Sequence, residues 1–202
     1  MPLLSVCSIN AETCLGIWKI TETEQWFLQN MIFPDSLNAT LSNYKSESRR
    51  LEVLATYALL QTLTNDNTAT ITHNSSGKPL SSHGFISISH TKNYVALIIS
   101  TNNQVAIDIE YISNRVEKIR HKFLREEETP DSLFALLLHW TAKETLYKYA
   151  SECDLSFSEM RVLPFCLQNK GIFYIENLKL HTKHPVYYET NALFIITYMV
   201  SL

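Results

Sequence analysis

The chain has 202 residues, of which 46% are hydrophobic and 18% are charged, and its formal net charge is −3. This composition excludes a disordered chain and provides enough residues for one large domain or two small ones. The small negative charge, with a sequence pI near 6.2, argues against general nucleic-acid binding. Any anionic ligand must therefore be met by local basic residues.

The cysteines and the apolar runs indicate the cellular compartment. Cys7, Cys14, Cys153 and Cys166 form no C-x-x-C pair and no metal-ligand spacing, so we expect them to be reduced, as in the cytoplasm. The N-terminal residues lack the basic and apolar regions of a secretory signal. Since no run approaches the ~18 apolar residues of a membrane span, we expect a cytoplasmic protein that does not bind membranes.

The first half of the chain contains the pattern of one long helix followed by strands. Apolar residues at helical spacing predict a helix from about Ser46 to Leu63, with Arg49 and Arg50 near its start. Downstream, Gly77-Lys78-Pro79 is typical of a turn that projects a cation. Alternating patterns then predict strands over Phe85–Ser89, Tyr94–Ser100 and Val105–Tyr111.

Two short polar motifs on these strands could serve a ligand. Ser89 and His90, at the end of the first strand, offer a hydroxyl and an imidazole to an anion. Asp108 and Glu110 lie two residues apart, so both point to one face of their strand. Aspartate is depleted in strands, and this pair could hold a hard cation, although an outward-facing acidic stripe would also explain it.

The second half repeats the order of helix and strands. A helix is predicted from about Pro130 to Ala150, and Trp140, Glu144 and Lys148 share one of its faces because they are four residues apart. A Glu/Lys pair at this spacing is also an ordinary surface pair that stabilises a helix by about 0.2–0.5 kcal/mol. Strands are predicted over Ile172–Leu180, Val186–Glu189 and Leu193–Ser201.

These patterns predict an α+β fold of two halves, 1–103 and 104–202. The two halves join at the polar turn Thr101–Gln104. Because this linker is short, we expect one packed unit rather than two independently moving domains.

Taken together, these motifs resemble the signature of the Sfp-like 4′-phosphopantetheinyl transferases, G-x-D-x-E followed by W-x-x-K-E-x-x-x-K. The resemblance covers about Ser46 to Phe165 and includes the G-K-P turn and a strand that ends in S-H. It implies two similar α+β halves, each a helix with a small antiparallel sheet, related by a pseudo-two-fold axis within a monomer. It also implies Mg²⁺-dependent transfer of the phosphopantetheine arm of coenzyme A to a serine of an acyl or peptidyl carrier protein.

The resemblance assigns roles residue by residue. Asp108, Glu110 and Glu144 correspond to magnesium ligands. Glu144 also corresponds to the general base and Lys148 to a phosphate contact, which makes these two the catalytic candidates. The candidates for coenzyme A binding are Arg49, Arg50, Lys78, Pro79, Ser89, His90 and Lys143.

The segment between the acidic strand and the second helix has a basic character. Val116, Ile119 and Phe123 share one helical face, and the cations of 115–125 surround it: Arg115, Lys118, Arg120, His121, Lys122 and Arg125. The segment is either a solvated amphipathic helix or a docking surface for an acidic carrier protein.

Three positions depart from the family pattern, and two other functions stay open. Ala106 replaces the usual glycine before the acidic pair, Tyr57 lies where an arginine is common, and Thr91 replaces a serine. The first two departures leave room for a non-catalytic homologue that binds carrier proteins. A metal-dependent nuclease is less favoured, because its usual lysine two residues after the glutamate is Ile112 here.

Overall fold

A long helix packed against an antiparallel sheet organises each half of the chain. The computed structural model describes residues 3–201, and the chain divides into two units, one ending at Gln104 and the other beginning at Val105. The mixture of helix and sheet confirms the predicted α+β class. The pseudo-two-fold relation stays a prediction, as does the assignment of coenzyme A binding to the first unit and catalysis to the second.

The first unit carries a four-stranded antiparallel sheet and a separate hairpin. The sheet has the order β1-β2-β6-β5, and β3 pairs with β4. Its elements are β1 (Leu3–Ser8), β2 (Thr13–Lys19), α1 (Glu24–Asn30), α2 (Ser36–Ser42), α3 (Glu47–Thr64), β3 (Ile71–His73), β4 (Pro79–Ser81), β5 (Phe85–Thr91) and β6 (Tyr94–Ser100). The predicted helix and the strands β5 and β6 are present. The first two strands, the helices α1 and α2 and the β3–β4 hairpin were not predicted.

Helix α3 packs closely on the sheet of the first unit. Its residues Leu54, Leu59 and Leu60 are fully buried. The approach is close because β2 has Gly16 beneath the helix, where an added Cβ would lie 2.6 Å from Leu59 Cδ1. Tyr57 is also buried, and its hydroxyl lies 3.4 Å from both the carbonyl oxygen and the amide nitrogen of Ile71. This contact ties the helix to the start of the β3–β4 hairpin.

The second unit has a five-stranded antiparallel sheet with the order β7-β11-β10-β9-β8. Its elements are β7 (Val105–Tyr111), α4 (Arg120–Phe123), α5 (Leu133–Tyr149), β8 (Met160–Val162), β9 (Lys170–Asn177), β10 (Thr182–Thr190) and β11 (Phe194–Val200). A 3₁₀ helix, Asn114–Ile119, precedes α4. The basic segment is therefore a short 3₁₀ helix followed by one turn of α-helix, not the single amphipathic helix of the sequence prediction.

Helix α5 is the predicted second helix, and its burial is more complete than its sequence suggests. It begins after Ser132, whose hydroxyl accepts a hydrogen bond from the Ala135 amide at 3.2 Å. Leu138, Ala142 and Leu146 are fully buried, and the helix packs mainly on β7 and β11. No helix within the described residues is long and apolar enough to cross a membrane.

A buried ion pair joins α5 to the loop before it and to β8. The Lys143 ammonium is fully buried and donates to Glu128 Oε2 at 2.5 Å and to the Phe123 carbonyl at 2.6 Å. The other oxygen of Glu128 accepts from the Val162 amide at 2.7 Å. Burial lowers the pKa of Lys143, and the bond to Glu128 opposes that change. Both charged groups of the pair thus have hydrogen-bond partners in addition to each other.

We predict that Lys143→Met destabilises the protein by about 3–5 kcal/mol, because it leaves the Glu128 carboxylate buried without its cation. Urea unfolding measures the change. The control is Lys170→Met, whose exposed pair with Glu189 at 3.7 Å should contribute less than about 1 kcal/mol. Equal losses in the two variants would contradict the prediction.

Candidate active site

The acidic pair of β7 lies on the side of the sheet that faces α5. Asp108 is directly opposite Thr197 of β11, and the Thr197 hydroxyl is 2.7 Å from that of Thr145 on α5. Residues directly opposite one another in antiparallel strands point to the same face, so Asp108 also points toward the helix. Glu110, two residues further along β7, shares this face.

Asp108 is held by the lysine that the sequence assigned to phosphate binding. Lys148 Nζ donates to Asp108 Oδ1 at 2.7 Å and to the Ile107 carbonyl at 3.0 Å. The carboxylate side chain is only 8% exposed, whereas that of Lys148 is 29% exposed. The ammonium thus reaches solvent while it neutralises a nearly buried charge.

Glu110 is oriented by Trp140. The indole Nε1 donates to Glu110 Oε1 at 3.0 Å. The Trp140 ring packs against Phe123 and Phe157, with centroid distances of 5.2 and 5.4 Å. Because its ring is fixed on both sides, Trp140 sets the direction of the carboxylate. The sequence motif contains this tryptophan but gave no indication of its partner.

Glu144 lies in the same electrostatic field as both strand carboxylates. Its pKa is raised to about 7 by burial first, then by the charge of Asp108, and further by Glu110, while Lys148 opposes the shift. The structure therefore brings together the four side chains that the sequence assigned to metal binding and catalysis. Three carboxylates near one ammonium leave an excess of negative charge.

The excess charge and the ligand chemistry fit a divalent cation, but the carboxylates do not form a ready-made site. Within residues 3–201, no group of three or more His, Cys, Asp or Glu side chains is arranged to hold a metal ion. Asp108 and Glu110 instead bond to Lys148 and Trp140. Hard carboxylate oxygens are the ligands that Mg²⁺ prefers. A bound cation would offset the charges of Asp108 and Glu110, which add to the effect of burial on the Glu144 pKa.

In the first unit, two of the predicted coenzyme A ligands lie in contact. Arg49 Nη1 contacts His90 Nε2, and both side chains are 40% exposed. Glu52 joins them, with Oε2 at 2.8 Å from Arg49 Nη1 and 3.2 Å from His90 Nε2. The sequence reasoning did not identify Glu52. Its spacing of three from Arg49 on a helix was the available signal.

Arg50 has a different set of partners from Arg49. Its Nε donates to Glu24 of α1 at 2.8 Å, and its Nη1 donates to the carbonyls of Tyr44 and Lys45. These bonds hold α1 and the chain before α3. Of the two arginines, Arg49 is therefore the better candidate for a phosphate contact.

The remaining coenzyme A candidates occupy separate positions. Lys78 and Pro79 are half-buried where the turn enters β4, and the Lys78 amide donates to Asn74 Oδ1 at 2.8 Å. Ser89 is buried in β5. Lys143 does not join the carboxylate cluster, because its fully buried ammonium is bonded to Glu128 and the Phe123 carbonyl. These bonds favour a structural role for it.

The structure shows the neighbours of the three residues that depart from the family pattern. Tyr57 ties α3 to Ile71, so a neutral hydroxyl stands where a cation was expected. Ala106 is fully buried on β7, opposite Met199. Thr91 ends β5 and is 8% exposed.

The basic segment combines a buried face with exposed cations. Val116 and Phe123 are buried against the core of the second unit, as the spacing predicted. Arg115, Lys118, Arg120, His121 and Lys122 are exposed. Arg120 lies 3.4 Å from Glu117. The contact of Phe123 with Trp140 links this segment to the residue that orients Glu110.

Comparison with known proteins identifies the second unit. Residues 104–198 match the family model of the 4′-phosphopantetheinyl transferase superfamily. No curated protein matches the chain. The matched range contains the three carboxylates, Asp108, Glu110 and Glu144, and the ammonium of Lys148. Residues 104–198 therefore form a domain of the 4′-phosphopantetheinyl transferase superfamily.

Proposed function

We propose that the chain transfers the 4′-phosphopantetheine arm of coenzyme A to a serine of an acyl or peptidyl carrier protein. The observation that carries the proposal is the cluster of Asp108, Glu110, Glu144 and Lys148, which lies inside the range matched by the superfamily model. The superfamily supports phosphopantetheinyl transfer in general. The magnesium requirement, the carrier substrate and the individual roles are part of the proposal.

The reaction exchanges the phosphoanhydride bond of coenzyme A for a phosphodiester bond to the carrier serine. The serine oxygen of the carrier attacks the β-phosphorus of coenzyme A, the bond from that phosphorus to the bridging oxygen breaks, and adenosine 3′,5′-bisphosphate leaves. Glu144 takes the serine proton. The Lys148 ammonium, one helical turn later on α5, stabilises the charge that develops on the bridging oxygen.

Asp108, Glu110 and Glu144 would hold Mg²⁺. When bound, this ion screens the negative charge of the pyrophosphate from the incoming oxygen. The side chains of Lys148 and Trp140 hold the two strand carboxylates in defined directions. Two of the three proposed Mg²⁺ ligands, Asp108 and Glu110, are therefore already restricted in orientation by other side chains.

The decisive assay is the mass of an apo carrier protein after incubation with the protein, coenzyme A and Mg²⁺. A mass increase of one phosphopantetheine group supports the transferase. A carrier that binds the protein but gains no mass supports instead a non-catalytic homologue, for which the departures at Ala106 and Tyr57 leave room. A cytoplasmic location and a monomeric state remain predictions.

We predict that Asp108→Asn abolishes transfer and weakens Mg²⁺ binding, because it removes a charged ligand while retaining an oxygen that can accept from Lys148. Mass spectrometry of the carrier measures transfer. Calorimetric titration of Mg²⁺ in the presence of coenzyme A measures the affinity for the metal. Excess chelator should stop the wild-type reaction. Transfer that persists in either experiment would contradict the magnesium role.

Glu144→Gln separates a general base from a metal ligand. The amide keeps one oxygen for the cation but is a far weaker base, so kcat should fall by about 10²–10⁴-fold while metal affinity falls only modestly. The control is Glu152→Gln, at an exposed glutamate beyond the end of α5, which should leave kcat unchanged. If high Mg²⁺ restores the kcat of Glu144→Gln, the residue is a ligand only.

We also propose that the exposed cations of residues 115–122 dock the acidic carrier. Charge reversal at Lys118 and Lys122 should raise the carrier KM and weaken its salt dependence, because exposed charges act mainly on encounter. The matched control is charge reversal at the exposed Lys170 and Lys183, which changes net charge equally. Equal KM values for both double variants would show that only net charge matters.

A further inference from the structure

The first unit contains a three-residue cluster whose central carboxylate has no role in the proposed reaction. Glu52 of α3 directs a single oxygen, Oε2, at two nitrogen bases, with Arg49 Nη1 at 2.8 Å and His90 Nε2 at 3.2 Å. The two bases also contact each other. Arg49 belongs to α3 and His90 to β5, so the carboxylate joins the helix to the sheet.

The carboxylate of the cluster is less exposed to solvent than the two bases. Arg49 and His90 are each 40% exposed, whereas Glu52 is only 21% exposed. The carboxylate thus lies deeper, and the two bases lie toward solvent. The Arg49 guanidinium is further restrained because it lies over the Tyr44 ring, 5.5 Å from its centroid.

Charge explains why the carboxylate is needed there. An arginine is always charged, and a histidine beside it becomes a second cation on protonation. Two such groups in contact repel each other unless an anion lies between them. Glu52 supplies that anion from the protein side, which allows the bases to stay adjacent on the solvent side. Paired bases of this type are suited to the oxygens of a phosphate group.

We infer that Glu52 is a positioning residue that holds Arg49 and His90 side by side as a phosphate-binding pair. The inference rests on the proposed function in one respect, that the phosphate belongs to coenzyme A. Glu52 does not touch the phosphate. It acts through the two bases, so its effect depends on their presence.

The test is calorimetric titration of coenzyme A into the wild type and into Glu52→Ala, with steady-state kinetics in parallel. Removal of Glu52 should weaken coenzyme A binding about fivefold, the upper end for a partly exposed ion pair. The KM for coenzyme A should rise accordingly while kcat stays constant. Glu52→Gln should recover part of the loss, since its carbonyl oxygen still accepts from Arg49.

The matched control is Glu176→Ala in the second unit. Its pair with Arg161 has nearly the same exposure, 24% for the glutamate and 40% for the arginine, and its loss should leave coenzyme A binding unchanged. In an Arg49→Ala/His90→Ala background, the further change Glu52→Ala should have no effect. A fivefold loss in that background would overturn the positioning role.

Two other results would also overturn the inference. Unchanged binding in Glu52→Ala would show that the bases need no support, and tighter binding would show that Glu52 competes with the ligand. Titration with inorganic pyrophosphate separates the inference from the proposed function. If the protein binds pyrophosphate in a manner that depends on Glu52 but does not bind coenzyme A, the phosphate-binding pair is supported and the proposed transferase function is contradicted. If the wild type binds neither, both are rejected.

Discussion

The arrangement of the second unit depends on the burial of one ammonium group. Lys143 has no access to solvent, and its charge is compensated by Glu128 and by the Phe123 carbonyl. These contacts fix the end of α4, the loop that follows it and, through the Val162 amide, strand β8 relative to α5. Because a buried charge without its partner is costly, these segments cannot move apart independently.

Helix α5 separates two ionic clusters of different character. Lys143 and Glu144 are consecutive, so they point about 100° apart around the helix. Lys143 takes part in a closed, fully satisfied pair with Glu128. Glu144 has a pKa that is raised by burial first and then by the charges of Asp108 and Glu110. The Lys143–Glu128 pair holds the helix in place, whereas Asp108, Glu110 and Glu144 together carry the excess of negative charge. The residue that anchors the helix and the residue that belongs to the candidate active site thus lie on different faces of α5.

The sequence predicted the parts of the molecule that local patterns determine. The long helices follow from apolar residues at helical spacing, and Asp108 and Glu110 follow from alternation along a strand. Partners that are distant in the chain were not predictable. No local rule pairs Trp140 with Glu110 or Lys143 with Glu128. The first 45 residues were missed because they lack a strong periodic pattern, and because β2, with which β1 pairs, is itself paired with the distant strand β6.

The far edge of the second sheet affects how the protein behaves at high concentration. Strand β8 has only three residues, Met160–Val162, and it borders β9, which exposes Ile172 and Tyr174. Apolar side chains near a sheet edge favour growth by strand addition when the edge is long and flat. An edge of three residues offers an incoming strand few backbone groups to pair with. The short strand β8 therefore gives an incoming strand little to pair with, and the exposed side chains of Ile172 and Tyr174 lie on β9 beyond the residues paired with β8.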